Sequence, residues 1–449
     1  MLSSFLICLC FTVLIYVDCR RHDIDLVTFA LFMSIPYFGI WPIFILSSQS
    51  YQPTSDNSVA LINIIIFMSY LLLWMINKLI KRKGNKTYQN FVDMELFLKK
   101  IERLRLSYIV CFVLFILIFT AYGFLKLEIL KSFDMQAFAD GRVKLPSWYL
   151  AVFASKRFFV LFAVIALYVK FLKSRSNRIL INFCLLVMII ISVMYGRAFI
   201  ITIITSCFFI FLKIRRKSFL SVKIFPWIVI SSVFLLVSLN FFQHMRSVLI
   251  APTLFSTGSN AKTQFYHKLD SLKIKQLFEI ESIHDSLVTR PSVWRFNEMI
   301  YTWQFINPSV NTLPNGELLV YSWASIVPRT IWNDKPPNNI QKYKLFPFYQ
   351  KSYNKFQAPS ILGYTFADFS ILCIFVFPIL MILMFYVTAF IQKLFSKHDW
   401  WVFMLSSGAI YNVLSLEANY DSYILIIRNS IFFGLVFCSP SMLKALLRK

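Results

Sequence analysis

Charge and glycine are scarce in this chain of 449 residues. Only 15% of the residues are charged and ten are glycine, whereas a soluble domain averages about one quarter charged residues. A soluble protein of this size needs a largely wetted surface, so the composition excludes that class. No glycine-rich phosphate-binding loop and no Ser/His/Asp arrangement is present.

Patterns typical of metal and disulfide sites are also missing. No Cys-x-x-Cys pair and no His-rich cluster occur, so zinc and thiol redox sites are not predicted. None of the eight cysteines lies in residues 242–365, which excludes a disulfide framework there. The single Asp-x-Asp motif, Asp23-Ile24-Asp25, follows the first apolar run, and we interpret it as a loop end. We therefore expect no metal and no cofactor.

Hydrophobic residues make up 58% of the sequence and occur in runs separated by short basic segments. Runs of about 17 to 25 residues match a helix that crosses the hydrocarbon core of a membrane. We predict an all-α polytopic membrane protein with about eleven transmembrane helices. The predicted spans lie near 2–18, 26–47, 59–79, 106–127, 149–171, 179–195, 198–212, 224–241, 366–391, 400–416 and 423–438.

These spans divide the chain into three parts. Residues 1–241 form an N-terminal transmembrane bundle, 242–365 a large periplasmic loop, and 366–449 a C-terminal group of helices. The predicted inner segments contain 25 Lys and Arg residues, and the short outer segments contain 4. Because cytoplasmic loops collect Lys and Arg, we expect a periplasmic N-terminus and a cytoplasmic C-terminus in the bacterial inner membrane.

The net charge of +25 has the same origin, since cytoplasmic Lys and Arg fix orientation and contact anionic lipid. Membrane lipid is therefore an expected partner and nucleic acid is not. The basic, amphipathic segment 78–105 is predicted to lie on the inner leaflet as an interfacial helix.

The segment 242–365 is too long for a simple connector and is rich in aromatic residues. These residues suit either sugar binding or packing on the membrane face. The segment carries 13 Lys and Arg residues against 7 Asp and Glu residues. This excess fits either a soluble basic loop or an anionic ligand such as a pyrophosphate.

Three arginines fall at one predicted level in the outer leaflet. Arg157 and Arg428 lie within predicted spans, and Arg197 follows Gly196 in a tight outer turn. A charge at such a depth is costly unless it is paired, and arginine binds phosphate through two parallel hydrogen bonds. We predict that the three bind pyrophosphate; the alternative is internal pairing, for example of Arg428 with Glu417 or Asp421.

Three stretches carry a family resemblance. Residues 327–336 (VPRTIWNDKP) are similar to the "PR, two residues, W, then KP" stretch of the Wzy-type O-antigen polymerases, which polymerise oligosaccharide repeat units. Gly196-Arg197 resembles that family's Gly-Arg turn. Residues 363–369 (GYTFADF) resemble its exit from the loop into the next helix.

The resemblance implies an inverting glycosyltransferase of the GT-C type. Both donor and acceptor would be undecaprenyl-pyrophosphate-linked oligosaccharides, and a chain-length regulator is a further candidate partner. Because the leaving group is already a pyrophosphate, the protein mainly needs cations where charge develops. Our catalytic candidates are Arg290, Arg329 and Lys335. The candidates for a general base are Asp285, His284, Glu298 and Asp334.

Two other functions share some of these features. An O-antigen ligase has the same topology and donor but transfers the glycan to lipid A core; the stretch 327–336 favours a polymerase. A flippase or transporter for lipid-linked oligosaccharides also fits a polytopic chain. The sequence shows no repeated halves and no pair of broken helices at the midplane, which argues against transport.

Overall fold

A computed structural model describes residues 2–40, 56–126, 147–173, 177–193, 197–215, 316–324, 360–415, 420, 422–424 and 426–430. Within these residues the regular structure is helical throughout and contains no strand. The described residues belong to two compact units. The first lies within 1–100, 212–219 and 290–449, and the second within 101–211 and 220–289.

The described residues include thirteen α-helices, α1 to α13 in chain order. They are α1 Leu2–Arg20, α2 Leu26–Ser34, α3 Asp56–Arg82, α4 Lys86–Val92, α5 Glu95–Arg103, α6 Leu106–Lys126, α7 Ser147–Lys173, α8 Arg178–Val193, α9 Arg197–Arg215, α10 Glu317–Ala324, α11 Ile361–Phe369, α12 Cys373–Leu394 and α13 Asp399–Ser415. The π-helix Ile35–Ile40 continues α2, and the 3₁₀ turn Ser370–Leu372 separates α11 from α12.

Three of these stretches are long and apolar enough to cross a membrane, namely Leu2–Arg20, Val59–Arg82 and Ile361–Leu394. The pair Glu95–Arg103 and Leu106–Tyr122, bent by 100°, is a fourth if it counts as one span. The all-α prediction is thus confirmed for the described residues, and their apolar helices are those of a membrane-embedded protein. Helices also occupy six further predicted spans wholly or in part (26–47, 106–127, 149–171, 179–195, 198–212 and 400–416). The predicted span 224–241 lies outside the described residues, and the span 423–438 lies partly outside them.

The prediction of one interfacial helix over residues 78–105 is wrong. The helix α3 ends at Arg82, Gly84 adopts a φ of +76°, and α4 and α5 follow as two short helices. Most apolar side chains of this segment are buried in the protein. They include Phe91, Met94, Phe97 and Ile101. The rings of Phe91 and Phe97 lie 6.4 Å and 6.3 Å from those of Phe385 and Phe403. Amphipathicity alone does not distinguish a lipid-facing side from a protein-facing side.

The first unit is built around α12. This helix packs along α3 and α4, while α2 packs on α13 and α11 on α12. The phenol ring of Tyr70 on α3 is buried among the rings of Phe11, Phe38 and Phe377, with centroids 5.6 Å, 6.3 Å and 5.2 Å away. Such aromatic contacts add about 0.5–1.5 kcal/mol each beyond the area they bury.

The second unit has α7 at its centre. Residues 158–167 of this helix are buried on every side, which is the pattern of a core helix rather than a surface one. Its neighbours are α6 and α8. The ring of Phe112 on α6 meets those of Phe159 and Phe162 at 5.9 Å and 5.4 Å.

Gly408 on α13 allows the side chain of Ile426 to pack closely against the backbone of that helix. A Cβ atom at this position would lie 2.8 Å from Cγ2 of Ile426 and 3.0 Å from its Cγ1. We expect Gly408→Val to lower the free energy of unfolding by about 1–3 kcal/mol, the usual cost of overpacking. Thermal unfolding of the purified protein measures this loss. The double variant Gly408→Val, Ile426→Ala should recover part of it, and a Gly408→Val variant as stable as the parent would contradict the close packing.

Candidate functional site

The densest group of charged side chains in the described residues lies in the first unit, where several helices end. Asp18 is on the last turn of α1, and Asp23 and Asp25 are in the connection from α1 to α2. Lys78 and Lys81 project from the last turns of α3. Asp93 lies between α4 and α5, and Lys213 reaches the group from the end of α9. We call these seven residues the charge cluster.

Each of the two lysines on α3 contacts three carboxylates. The Nζ atom of Lys78 lies 2.7 Å from Asp18, 2.7 Å from Asp23 and 3.8 Å from Asp25. The Nζ atom of Lys81 lies 3.0 Å from Asp25 and 2.6 Å from Asp93, and it also pairs with Asp23. These ion pairs join the α1–α2 connection to α3 and to the α4–α5 turn.

The third lysine of the charge cluster binds backbone oxygens. Lys213 donates a hydrogen bond to the carbonyl oxygen of Ile24 at 2.9 Å and another to that of Asp93. The Lys213 ammonium group thereby donates to carbonyl oxygens in two connections between helices that are far apart in sequence.

Neutral donors also bond to the carboxylates of the cluster. The indole N–H of Trp74 donates to Asp18 at 3.1 Å, and the Thr28 hydroxyl donates to the same carboxylate at 2.8 Å. The Asn77 amide donates to Asp25 at 2.8 Å and accepts from the Tyr88 hydroxyl at 2.9 Å. Asp25 also caps α2 by accepting from the N–H of Thr28, so local helix capping and the charge cluster share one carboxylate.

Burial makes these contacts strong. Asp18 and Asp25 are 1% and 0% exposed, and ion pairs are poorly screened at such sites. Burial by itself would raise the pKa of the Asp25 carboxyl, but Lys81 and Lys78 outweigh it and hold that pKa below its usual range. Burial raises the pKa of the Asp93 carboxyl despite the opposing effect of Lys81 and Lys213. Asp25 is therefore the carboxylate that the lysines stabilise most clearly.

Three carboxylates of the cluster have the spacing of a metal site. One oxygen each from Asp23, Asp25 and Asp93 lie within 4.8 Å of one another, and oxygen ligands suit hard divalent cations. Lys81 pairs with all three, so an ammonium already supplies the cation. Asp23-Ile24-Asp25 does lie in the connection between α1 and α2, as interpreted from the sequence, and both carboxylates in addition belong to the charge cluster. The sequence did contain a signal for this cluster that sequence reasoning missed. Asp18, Asp23 and Asp25 lie at or just after the end of one apolar helix, and Lys78 and Lys81 lie at the end of another.

A second polar constellation surrounds α11, the helix formed by the stretch 363–369 that carries the family resemblance. The carboxylate of Asp368, 1% exposed, accepts from the backbone N–H groups of Leu318 and Leu319 at 3.2 Å and 3.0 Å. It thereby caps the N-terminus of α10, where N–H groups have no helical partner. The two helices also pack against each other. This constellation, the α10–α11 junction, ties part of segment 242–365 to an apolar helix.

The junction includes a buried tyrosine from near the end of the chain. The hydroxyl of Tyr420 donates to Thr365 at 3.0 Å, and its ring lies 5.8 Å from that of Tyr364. Burial raises the pKa of the Tyr420 hydroxyl. Ser360 caps α11 through the N–H of Gly363.

The predicted pyrophosphate ligands fall in both units. Arg157 is partly buried on α7, and Arg197 is the first residue of α9; both belong to the second unit. Arg428 belongs to the first unit and donates weakly to the Asn429 side chain at 3.4 Å. Their convergence on one ligand stays a prediction.

The other predicted residues lie outside the described parts of the chain. They are the catalytic candidates Arg290, Arg329 and Lys335, the general-base candidates Asp285, His284, Glu298 and Asp334, and the pairing candidates Glu417 and Asp421.

Comparison of the chain with protein-family models, curated proteins and solved structures found no match.

The charge cluster predicts a large effect of losing one lysine. We expect Lys81→Met to reduce the free energy of unfolding by about 3–5 kcal/mol, since it removes a largely buried cation that three carboxylates share. Thermal or denaturant unfolding of the purified protein measures the change. The matched control is Lys99→Met, which removes a largely exposed lysine paired with Glu95 at 3.2 Å and should change stability little. Similar stability of both variants would contradict the assigned role.

The lowered pKa of Asp25 makes the free energy of unfolding depend on pH. Its carboxylate stabilises the fold at pH values above the unfolded pKa of about 3.9, and this stabilisation is lost as the pH falls through the lower pKa of the folded state. We expect Asp25→Asn to be less stable than the parent at pH 7 and the difference to shrink as the pH falls below about 4. Unfolding curves over a pH series test this, and a difference independent of pH would contradict it.

Proposed function

We propose that this protein polymerises undecaprenyl-pyrophosphate-linked oligosaccharide repeat units into O-antigen or a related surface polysaccharide. It would act as an inverting, metal-independent glycosyltransferase of the GT-C type, with about eleven transmembrane helices. The reaction would take place at the periplasmic face of the bacterial inner membrane, with the N-terminus periplasmic and the C-terminus cytoplasmic.

The observation that carries this proposal is the α10–α11 junction. The stretch 363–369, which resembles the family's exit from the loop, forms α11, and its Asp368 holds α10. The stretch 327–336, the more specific of the resembling motifs, begins three residues after α10 ends at Ala324. A fixed helix directly before that stretch supports the view that the stretch acts beside the membrane helices.

The proposed chemistry follows from the leaving group. A hydroxyl of the acceptor attacks the first anomeric carbon of the donor glycan, the bond to the pyrophosphate oxygen breaks, and the lipid pyrophosphate leaves. A general base accepts the proton of the hydroxyl. Arg290, Arg329 and Lys335 would stabilise the charge that develops on the pyrophosphate. Arg157, Arg197 and Arg428 would hold the pyrophosphate groups of the substrates.

The test is a reaction of the purified protein with lipid-linked repeat unit, without nucleotide or ion gradient. We expect a ladder of products, and we expect Arg329→Ala and Arg290→Ala to lower its rate by about 100-fold or more. Lys99→Ala, which alters an exposed lysine of α5, serves as the matched control and should polymerise normally.

Other outcomes identify the alternatives. Normal ladders in both arginine variants would contradict the site assignment. Product that forms only when lipid A core is supplied would indicate a ligase. Movement of the lipid-linked substrate across a bilayer without any new glycosidic bond would indicate a flippase.

A further inference from the structure

Trp323, near the C-terminal end of α10, lies beside the middle of the apolar helix α12, although α10 belongs to the segment predicted to be a periplasmic loop. Trp323 lines the same small cavity as Leu383, Met384 and Thr388 of α12. These residues lie ten to fifteen positions after the first residue of α12, which corresponds to about 15–22 Å along the helix axis. The stretch Ile361–Leu394, which contains α12, is long and apolar enough to cross a membrane.

The side chains of α10 are apolar on opposite faces. Leu318 is fully buried against the protein. Val320 and Trp323, three residues apart and thus on one helical face, are 67% and 42% exposed. A helix on a water-facing surface normally presents polar side chains on its outer face. In α10 the only charged residue is Glu317 at the N-terminus.

The exposed face of α10 continues an apolar surface of α12. Ile379 and Leu383, four residues apart on that helix, are 58% and 49% exposed. Leu383 borders the cavity that Trp323 also lines. If these exposed side chains of α12 contact acyl chains, so does Trp323 beside Leu383, and Val320 lies on the same face of α10 as Trp323.

The N-terminal end of α10 lies at Asp368, five residues before α12 begins, within the apolar stretch Ile361–Leu394, and it needs partners for its backbone. The first N–H groups of a helix have no internal acceptor, and hydrocarbon offers none. Asp368 accepts from two of them, those of Leu318 and Leu319. Its negative charge also suits the positive end of the helix dipole.

We propose that α10, capped by Asp368, is embedded in the bilayer beside α12 and that its Val320 and Trp323 side chains contact the acyl chains. This proposal is independent of the proposed enzymatic activity.

Site-directed spin labelling in liposomes tests the proposal. Val320→Cys is labelled in a background without native cysteines, and the label's collision rates with oxygen and with a water-soluble nickel chelate are compared. Phe375→Cys on the exposed side of α12 (59% exposed) is the lipid control, and Lys99→Cys on α5 is the aqueous control. We expect the label at position 320 to match the lipid control. A match to the aqueous control, or protection from both reagents, would overturn the proposal.

A second measurement needs no change of the native cysteines. Val320→Asp places a carboxylate on the proposed lipid-facing side, and Val320→Leu is its apolar control. We expect Val320→Asp to lower the melting temperature by several degrees and Val320→Leu to leave it nearly unchanged, because a charge in hydrocarbon is costly. Equal melting temperatures would overturn the lipid contact.

The same spin label tests the role of Asp368 as the cap of α10. In Asp368→Ala the label at position 320 should become more mobile or water-accessible, while the label at position 375 should not change. Asp368→Asn, which keeps one acceptor oxygen, should give an intermediate result. An unchanged label at position 320 in Asp368→Ala would overturn the assignment of Asp368 as the cap.

Discussion

The contacts of the Lys81 ammonium group with three carboxylates hold together the helix ends that meet at the charge cluster of the first unit. A buried carboxylate is stable only with a nearby cation or several donors, and here Asp23, Asp25 and Asp93 share one lysine. The three acids come from two separate connections between helices. Their common partner therefore fixes the ends of α1 to α5 with respect to one another, and the burial of Tyr88 and Phe91 follows from that arrangement.

The charge cluster and the α10–α11 junction both provide partners for polar groups at helix ends, but they use different contacts. Both lie where helices begin or end, and there the backbone has unsatisfied groups. In the cluster, Asp25 serves as a helix cap and as a partner of two lysines. At the junction, Asp368 bonds to two backbone N–H groups of another helix. One site is a network of opposite charges, and the other is a single anion at the positive end of a helix.

The sequence predicted those features that depend on a single stretch of chain. Run length located the apolar helices at 2–18, 59–79 and 366–391, since crossing a membrane requires a fixed number of apolar residues. It did not predict that residues 86–103 form two short helices with mostly buried apolar side chains, because periodicity does not show what covers a face. The pairing of Asp23 and Asp25 with Lys81, and the cap that Asp368 provides, join residues about 50 or more positions apart. Such pairs become visible only in three dimensions. The candidates Arg290 and Arg329 lie outside the described residues, so they rest on the sequence alone.

The position of Lys213 bears on the order in which the chain is assembled. Its ammonium group bonds to backbone oxygens at residues 24 and 93, which are 189 and 120 positions earlier. At a synthesis rate of about 5–20 residues per second, roughly 6–24 seconds separate the appearance of Asp93 from that of Lys213. Throughout this interval the charge cluster has its four aspartates but only two of its three lysines, those of α3. Ribosomal synthesis must therefore proceed through most of the second unit before the first one can reach its final electrostatic balance.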